Sequence, residues 1–163
     1  EICACLVGSE MCIRDRYDIV QLTNNKLLDL LLSKYSALCN NNNIKLNIEV
    51  RTANLDHISD TDLSMIINNL MDNAFESAKK SKEKVIDFSL IRVNNFDILK
   101  VSNSCDTPPI DNAHKLLTTK KSKAEHGLGT RIIEKYAKKN NAEYEWLYET
   151  DKKLFITTII FKH

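Results

Sequence analysis

Glycine and proline are nearly missing from this sequence. Its 163 residues include three glycines and two prolines, and the prolines fall side by side at Pro108 and Pro109. Turns must therefore be built from other residues, and asparagine and lysine stand where glycine and proline usually do. Aromatic residues make up 7%, and the net charge is +1, so nothing global favours nucleic acid or an acidic membrane surface. No apolar run approaches the ~20 residues of a membrane-spanning helix. The five cysteines show no CxxC or comparable metal-binding spacing, and their number is odd. Cys3, Cys5 and Cys12 crowd the start, leaving Cys39 and Cys105 as free thiols of a reducing compartment.

The opening segment EICACLVGSEMCIRDR (1–16) lacks the basic n-region and sustained apolar stretch of a signal peptide. It resembles translated sequencing-adapter read-through, and we set it apart from the fold as a non-native segment. The remainder, in a chain that is 43% hydrophobic, suffices for one core.

From Tyr17 the pattern is orderly. Residues 17–43 read as a helix with Leu27, Leu28, Leu31, Leu32 and Leu38 on one side, stopped by an asparagine run. IKLNIEVRT (44–52) alternates as a strand with one buried face. A second helix is expected over about 60–80, with Asp60 as N-cap and Asp62 favoured in the first turn by the helix dipole. Strands follow at KVIDFSLIRV and FDILKVSN, joined at Asn94-Asn95. Residues 104–125 look irregular apart from a helical turn near Ala113–Leu117; then come a helix (128–141) and a closing hairpin around Asp151-Lys152. This order predicts an α+β two-layer sandwich, a mixed sheet with helices on one face.

Two segments carry chemistry. In SMIINNLMDNAFESAKK (64–80), Leu63, Ile66, Ile67, Leu70, Met71, Ala74, Phe75 and Ala78 form a core-facing stripe. Yet the same helix carries asparagines in its interior, each about 0.6 kcal/mol worse than alanine there. At 100° per residue, Asn69, Asn73 and Glu76 lie beside the stripe, a polar edge suited to a groove wall. In TTKKSKAEHGLGTRIIEKY (118–136), Gly127 and Gly129, the only glycines after residue 16, sit at one helix start. Lys115, Lys120, Lys121 and Lys123 precede them, so a basic loop and free helix N–H groups would suit phosphates. Taken alone, the pattern also fits a plain loop-to-helix junction beside solvated lysines.

Together, NNLMDNAFESA and TTKKSKAEHGLGT resemble the two nucleotide-binding boxes of the GHKL superfamily, which includes histidine kinases and gyrase. The likeness is strongest to catalytic domains of quorum-sensing and citrate-sensor histidine kinases and extends over nearly everything after residue 17. It implies a Bergerat-type ATP-binding fold over 44–163, preceded at 17–43 by a helix leading from a dimerisation domain. It further implies ATP and Mg²⁺ as cofactors, Asn73 as the magnesium ligand, and Asn69 where hydrolytic relatives carry a water-activating glutamate. Asn103 falls where many relatives read adenine with an aspartate; here the residue is asparagine and no glycine box follows. Thr119 and Lys120 resemble the lid, and His126, Gly127, Leu128 and Gly129 the second glycine box, with Thr130 departing from the usual leucine.

No histidine of this sequence lies in a segment resembling the phospho-acceptor helix. The resemblance therefore places the acceptor upstream of residue 17, on a dimerisation domain of a homodimeric, cytoplasmic kinase module with a response regulator as partner. Any membrane anchor would belong to an N-terminal sensor. A stand-alone GHKL serine kinase and a degenerate, non-catalytic interaction module of the same fold are the alternatives, and a generic ATPase is disfavoured by the amide at Asn69.

Overall fold

The computed structural model describes residues 23–109 and 128–162. Turns show how a chain so poor in glycine reverses direction. Among the described residues, Asn43, Thr52, Lys84, Asn94, Asn141 and Lys153 take left-handed backbone, with φ between 49° and 54°. Asparagine is the side chain that tolerates this region best, and it closes three of these turns.

Helix α1 (Lys26–Asn41) starts where the Asn25 side chain accepts the Leu28 N–H at 3.0 Å. Residues 23–25 precede it, and 17–22, read as part of this helix, lie outside the described residues. It buries Leu28, Leu31, Leu32, Tyr35 and Cys39. Strand β1 (Lys45–Arg51) follows, and its apolar residues Leu46, Ile48 and Val50 are only half-buried because it is a sheet edge. Helix α2 (Asp60–Lys80) is capped by Ser59, not Asp60. Ser59 has extended backbone and its Oγ accepts the Asp62 N–H at 3.2 Å, which leaves Asp60 as the first helical residue.

Strands β2 (Val85–Val93) and β3 (Phe96–Ser104) form the hairpin expected at Asn94-Asn95. Helix α3 (Leu128–Lys139) leads to β4 (Ala142–Glu149) and β5 (Leu154–Lys162), which pair around the Asp151-Lys152 turn. The helical turn read near Ala113–Leu117 lies outside the described residues. The sheet order is β1-β2-β3-β5-β4; β1 and β2 are parallel and every other pair is antiparallel. It is thus the mixed sheet of an α+β two-layer sandwich.

Register explains the single helical layer. Ile86, Phe88 and Leu90 on β2, Leu99 and Val101 on β3, and Ile159 and Phe161 on β5 share one face and are buried. On the other face, Ser89, Lys100 and Thr158 stand in one cross-strand row. Helix α2 packs on the sheet and against both α1 and α3. Its stripe of Leu63, Ile66, Ile67, Leu70, Met71, Ala74 and Ala78 is buried as the periodicity requires, while Phe75 stays half-buried. Near one end, Asp62 of α2 accepts from Lys139 Nζ at 2.8 Å and from Asn140 Nδ2 at 3.1 Å. That clamp fixes how α3 lies along α2.

Candidate functional site

The interior asparagines of α2 divide according to the neighbour they face. Asn69 donates through Nδ2 to the Met65 carbonyl one turn back, at 2.6 Å. One of its two amide hydrogens is therefore committed, and Oδ1 is the acceptor it turns toward α3. Asn73 lies one turn further on the same side. Opposite both stands Gly129, in the first turn of α3: a Cβ there would come within 3.3 Å of Asn73 Oδ1, 3.4 Å of Asn73 Nδ2 and 3.5 Å of Asn69 Oδ1. The missing side chain lets the α3 start approach two amides closely. Amide oxygens and the first turn of a helix thus meet in one place. Glu76, half-buried, is on the next turn of α2.

Asn103, buried near the end of β3, is on the helical side of the sheet. Its Nδ2 donates to the Ser104 carbonyl at 3.0 Å, which again leaves Oδ1 as the acceptor on offer. The same carbonyl accepts from Ser77 Oγ at 3.2 Å, and Ser77 is one turn beyond Asn73. Asn103 is thereby tied to the α2 end that carries the amide pair. Of the remaining expected site residues, Thr119, Lys120, His126 and Gly127 lie outside the described residues, and Leu128 opens α3.

Aromatic residues around Asn103 were not singled out in the sequence. Phe155 is its cross-strand partner on β5 and stacks on Trp146 with centroids 6.0 Å apart and rings 28° from parallel. Tyr148 faces Phe155 from β4 and donates its hydroxyl to the Cys105 carbonyl at 2.9 Å. Burial pushes the Tyr148 phenol above its ordinary value, so it stays a donor. The signal was available as Tyr144, Trp146 and Tyr148 at period two. Another unnoticed set lies across α2, where the buried Tyr35 hydroxyl donates to Asp72 Oδ1 at 2.7 Å.

Among the described residues no group of three or more His, Cys, Asp or Glu is arranged to hold a metal ion. The donors at this place are instead neutral amide oxygens. Such a donor set fits Mg²⁺, which keeps several waters and takes its negative partners from bound phosphates. Gly129 spares those oxygens the Cβ that would crowd them at 3.3–3.5 Å.

A family model of the GHKL domain matches residues 58–162. The chain belongs to the GHKL family. Comparison with curated protein sequences gave no match. Among solved structures, this GHKL domain is similar to a nucleotide-free form of the catalytic domain of histidine kinase ThkA. That likeness has a TM-score of 0.63 at 19% identity, covering 85% of this chain and 92% of that one. It is also similar to the histidine kinase AdeS of Acinetobacter baumannii, with TM-score 0.61 and 13% identity over 83% of this chain and 62% of that one. A third is the histidine kinase domain of the blue-light activated kinase EL346 from Erythrobacter litoralis, with TM-score 0.58 and 16% identity over 83% and 60% of the two chains. At these identities the likeness establishes the fold: that of histidine kinase catalytic domains. His57, the one histidine among the described residues, sits in an exposed turn before α2, edge-on to Phe161.

Proposed function

We propose that this GHKL domain is the ATP-binding catalytic domain of a two-component sensor histidine kinase. It takes Mg²⁺–ATP and passes the γ-phosphoryl group to a histidine on a separate dimerisation helix, from which a response regulator is served. The observation that carries the reading is the Asn69–Asn73–Gly129 cluster: two interior amides of α2 laid against a glycine at a helix start. In the transfer, the bond from the γ-phosphorus to the bridging oxygen breaks, ADP leaves, and a phosphorus–nitrogen bond forms on imidazole. Magnesium, when bound, neutralises phosphate charge and holds the phosphates in line.

The chain's own residues contribute by positioning. Asn73 offers a neutral Oδ1, and Asn103 offers Oδ1 to the exocyclic amine of adenine. N–H groups at the start of α3 bind phosphate oxygens, with Lys120 and Thr119 as the proposed closing loop. Asn69 is the residue that favours a kinase over a hydrolase. A glutamate there would take a proton from water; an amide with its nitrogen bound to Met65 takes none. Water is left unactivated beside a labile phosphoanhydride, and the imidazole becomes the nucleophile.

Calorimetric titration of the full chain with a non-hydrolysable ATP analogue, with and without Mg²⁺, tests this. The expected result is binding strengthened by magnesium, with that increment reduced about tenfold or more by Asn73→Ala as a metal ligand is removed. Absence of binding by a sample shown to be folded would leave the non-catalytic interaction module as the better reading.

A further inference from the structure

The two flanks of α2 carry different chemistry one residue apart. Asn69 and Asn73 look toward α3, whereas Asn68 and Asp72, each about 100° back around the helix, look toward α1. On that second flank the Tyr35 hydroxyl lies 2.7 Å from Asp72 Oδ1, 3.1 Å from Asn68 Oδ1 and 3.2 Å from the Asn68 carbonyl. A phenol has one proton, and the shortest contact, to a carboxylate, takes it. Asn68 is itself held: its Nδ2 donates to the Ser64 carbonyl at 2.9 Å and to Ser64 Oγ at 3.1 Å, and its Oδ1 accepts from Lys34 Nζ at 3.1 Å. Tyr35 therefore grips, from behind, the helical turn whose front carries both site amides.

Apolar packing alone would not fix that turn closely. The buried stripe of α2 holds the helix against the sheet, but hydrophobic contact is non-directional and tolerates small slides and rotations. A slip of one residue moves a side chain by about 1.5 Å and 100°, far more than a magnesium ligand shell near 2.1 Å accepts. A directional bond from a fully buried ring resists such movement. Burial and the hydrogen bond to Asp72 both push the Tyr35 phenol well above its ordinary value, so the donor is present throughout the working pH range.

We propose that Tyr35 is a positioning residue for the nucleotide site, its hydroxyl holding the 68–72 turn so that Asn69 and Asn73 stay aligned on Gly129. The inference rests on the magnesium-nucleotide reading above. Helix α1 thereby becomes a mechanical part of the site although no residue of it faces Gly129. A displacement of α1 relative to α2 is transmitted toward the two amides through this buried hydroxyl, with the exposed Lys34–Asn68 bond beside it.

The test is titration of the full chain with a non-hydrolysable ATP analogue, with and without Mg²⁺, for wild type, Tyr35→Phe, Asp72→Ala, Asp72→Asn and the Tyr35→Phe/Asp72→Ala double variant. The quantity read is the ratio of the two affinities. Tyr35→Phe should lower that ratio about threefold to tenfold, the factor matching one net hydrogen bond, while leaving magnesium-free affinity unchanged. Asp72→Ala should lower it equally, the double variant no further, and Asp72→Asn, which keeps an acceptor oxygen, should retain most of it. A loss in both affinities together, or additive losses in the double variant, would mean a stability effect and overturn the proposal. Wild type that binds with the expected magnesium dependence, beside an unchanged Tyr35→Phe, would overturn this inference alone. Wild type with no magnesium-dependent binding would remove the reading beneath it as well. Asp72 is exposed, so its variants keep the comparison available should the core substitution impair folding.

Discussion

Helices α2 and α3 present polar groups to each other near both ends of their apolar contact, and the two places are chemically opposite. At one, the Asp62 carboxylate is closed off by Lys139 and Asn140, every bond made within the protein. At the other, Asn69 and Asn73 face a glycine, and their oxygens are left to be used by something else. The two are linked by geometry. From Asp62 to the middle of the amide pair is about 13 Å of α2, and from Lys139 back to Gly129 is about 15 Å of α3. The helices run antiparallel, so the charged clamp sets the register that brings Gly129 opposite the amides. A contact that spends its polar groups on stability holds in place one that saves them for a ligand.

Filling the glycine gap breaks the second contact most directly. Gly129→Val places branched carbon where even a Cβ already comes within 3.3 Å of Asn73 Oδ1. Nucleotide affinity should fall about tenfold or more, because the branch displaces the amide pair from its alignment. Unfolding free energy should also fall, by up to about 1–3 kcal/mol of overpacking, offset in part by valine's better helix propensity. Titration beside a urea melt reads both. A loss of stability with affinity unchanged would mean that Gly129 serves packing only.

That contrast also divides what the sequence disclosed from what it withheld. The apolar stripe of α2, the alternation in the strands and the asparagine turns are local patterns, and the structure contains each of them. The fold was legible for that reason, whereas the segments of Asn69–Asn73 and Gly129 were joined only by the family resemblance, and their contact comes from the structure. The Asp62 clamp was not, because its partner is 77 residues away and no local rule names it. Nor did the sequence distinguish Ser59 from Asp60 as the cap: both side chains can cap, and backbone extension at Ser59 decides the matter. Which atom an asparagine presents was equally hidden. Asn69 turns its oxygen toward α3 through its bond to Met65, a helix-geometry effect invisible in composition.

Removing the charge at the first contact should cost stability and, through the register it sets, a smaller part of ligand affinity. Lys139 foremost, then Asn140 and Ser59, hold the Asp62 carboxyl below its ordinary value of 3.8 against the opposing effect of burial. A carboxylate depressed in the folded state contributes stability above its unfolded value, and that contribution is lost as pH falls through the folded value. Wild type should therefore weaken as pH drops below about 4, whereas Asp62→Asn should lack this component of the acid loss. At neutral pH the variant should be less stable by about 1–2 kcal/mol, as a charged hydrogen-bond acceptor is lost. Nucleotide affinity should fall too, but by less than about threefold, since the apolar packing of α3 on α2, with Ile133 and Ala137 buried, keeps most of the register. A pH-independent difference between the two proteins would show the clamp to be neutral packing.

The smallest effect isolates the lysine within the clamp. Lys139 is 60% exposed although it lies 2.8 Å from a carboxylate that is 4% exposed, so water screens one partner and not the other. Lys139→Met keeps the aliphatic stem and leaves Asp62 with Asn140, Ser59 and the N-terminal end of the α2 dipole. The expected loss is about 0.5–1 kcal/mol, below that of Asp62→Asn, because an exposed ammonium contributes little after screening. Acid weakening should also shift toward higher pH, since removal of the strongest depressing influence lets the carboxyl rise toward its ordinary value. Chemical melts between pH 3 and 7 measure both. If Lys139→Met proved as damaging as Asp62→Asn, the ion pair itself, rather than the carboxylate's place at the helix start, would be what holds Gly129 opposite the amides.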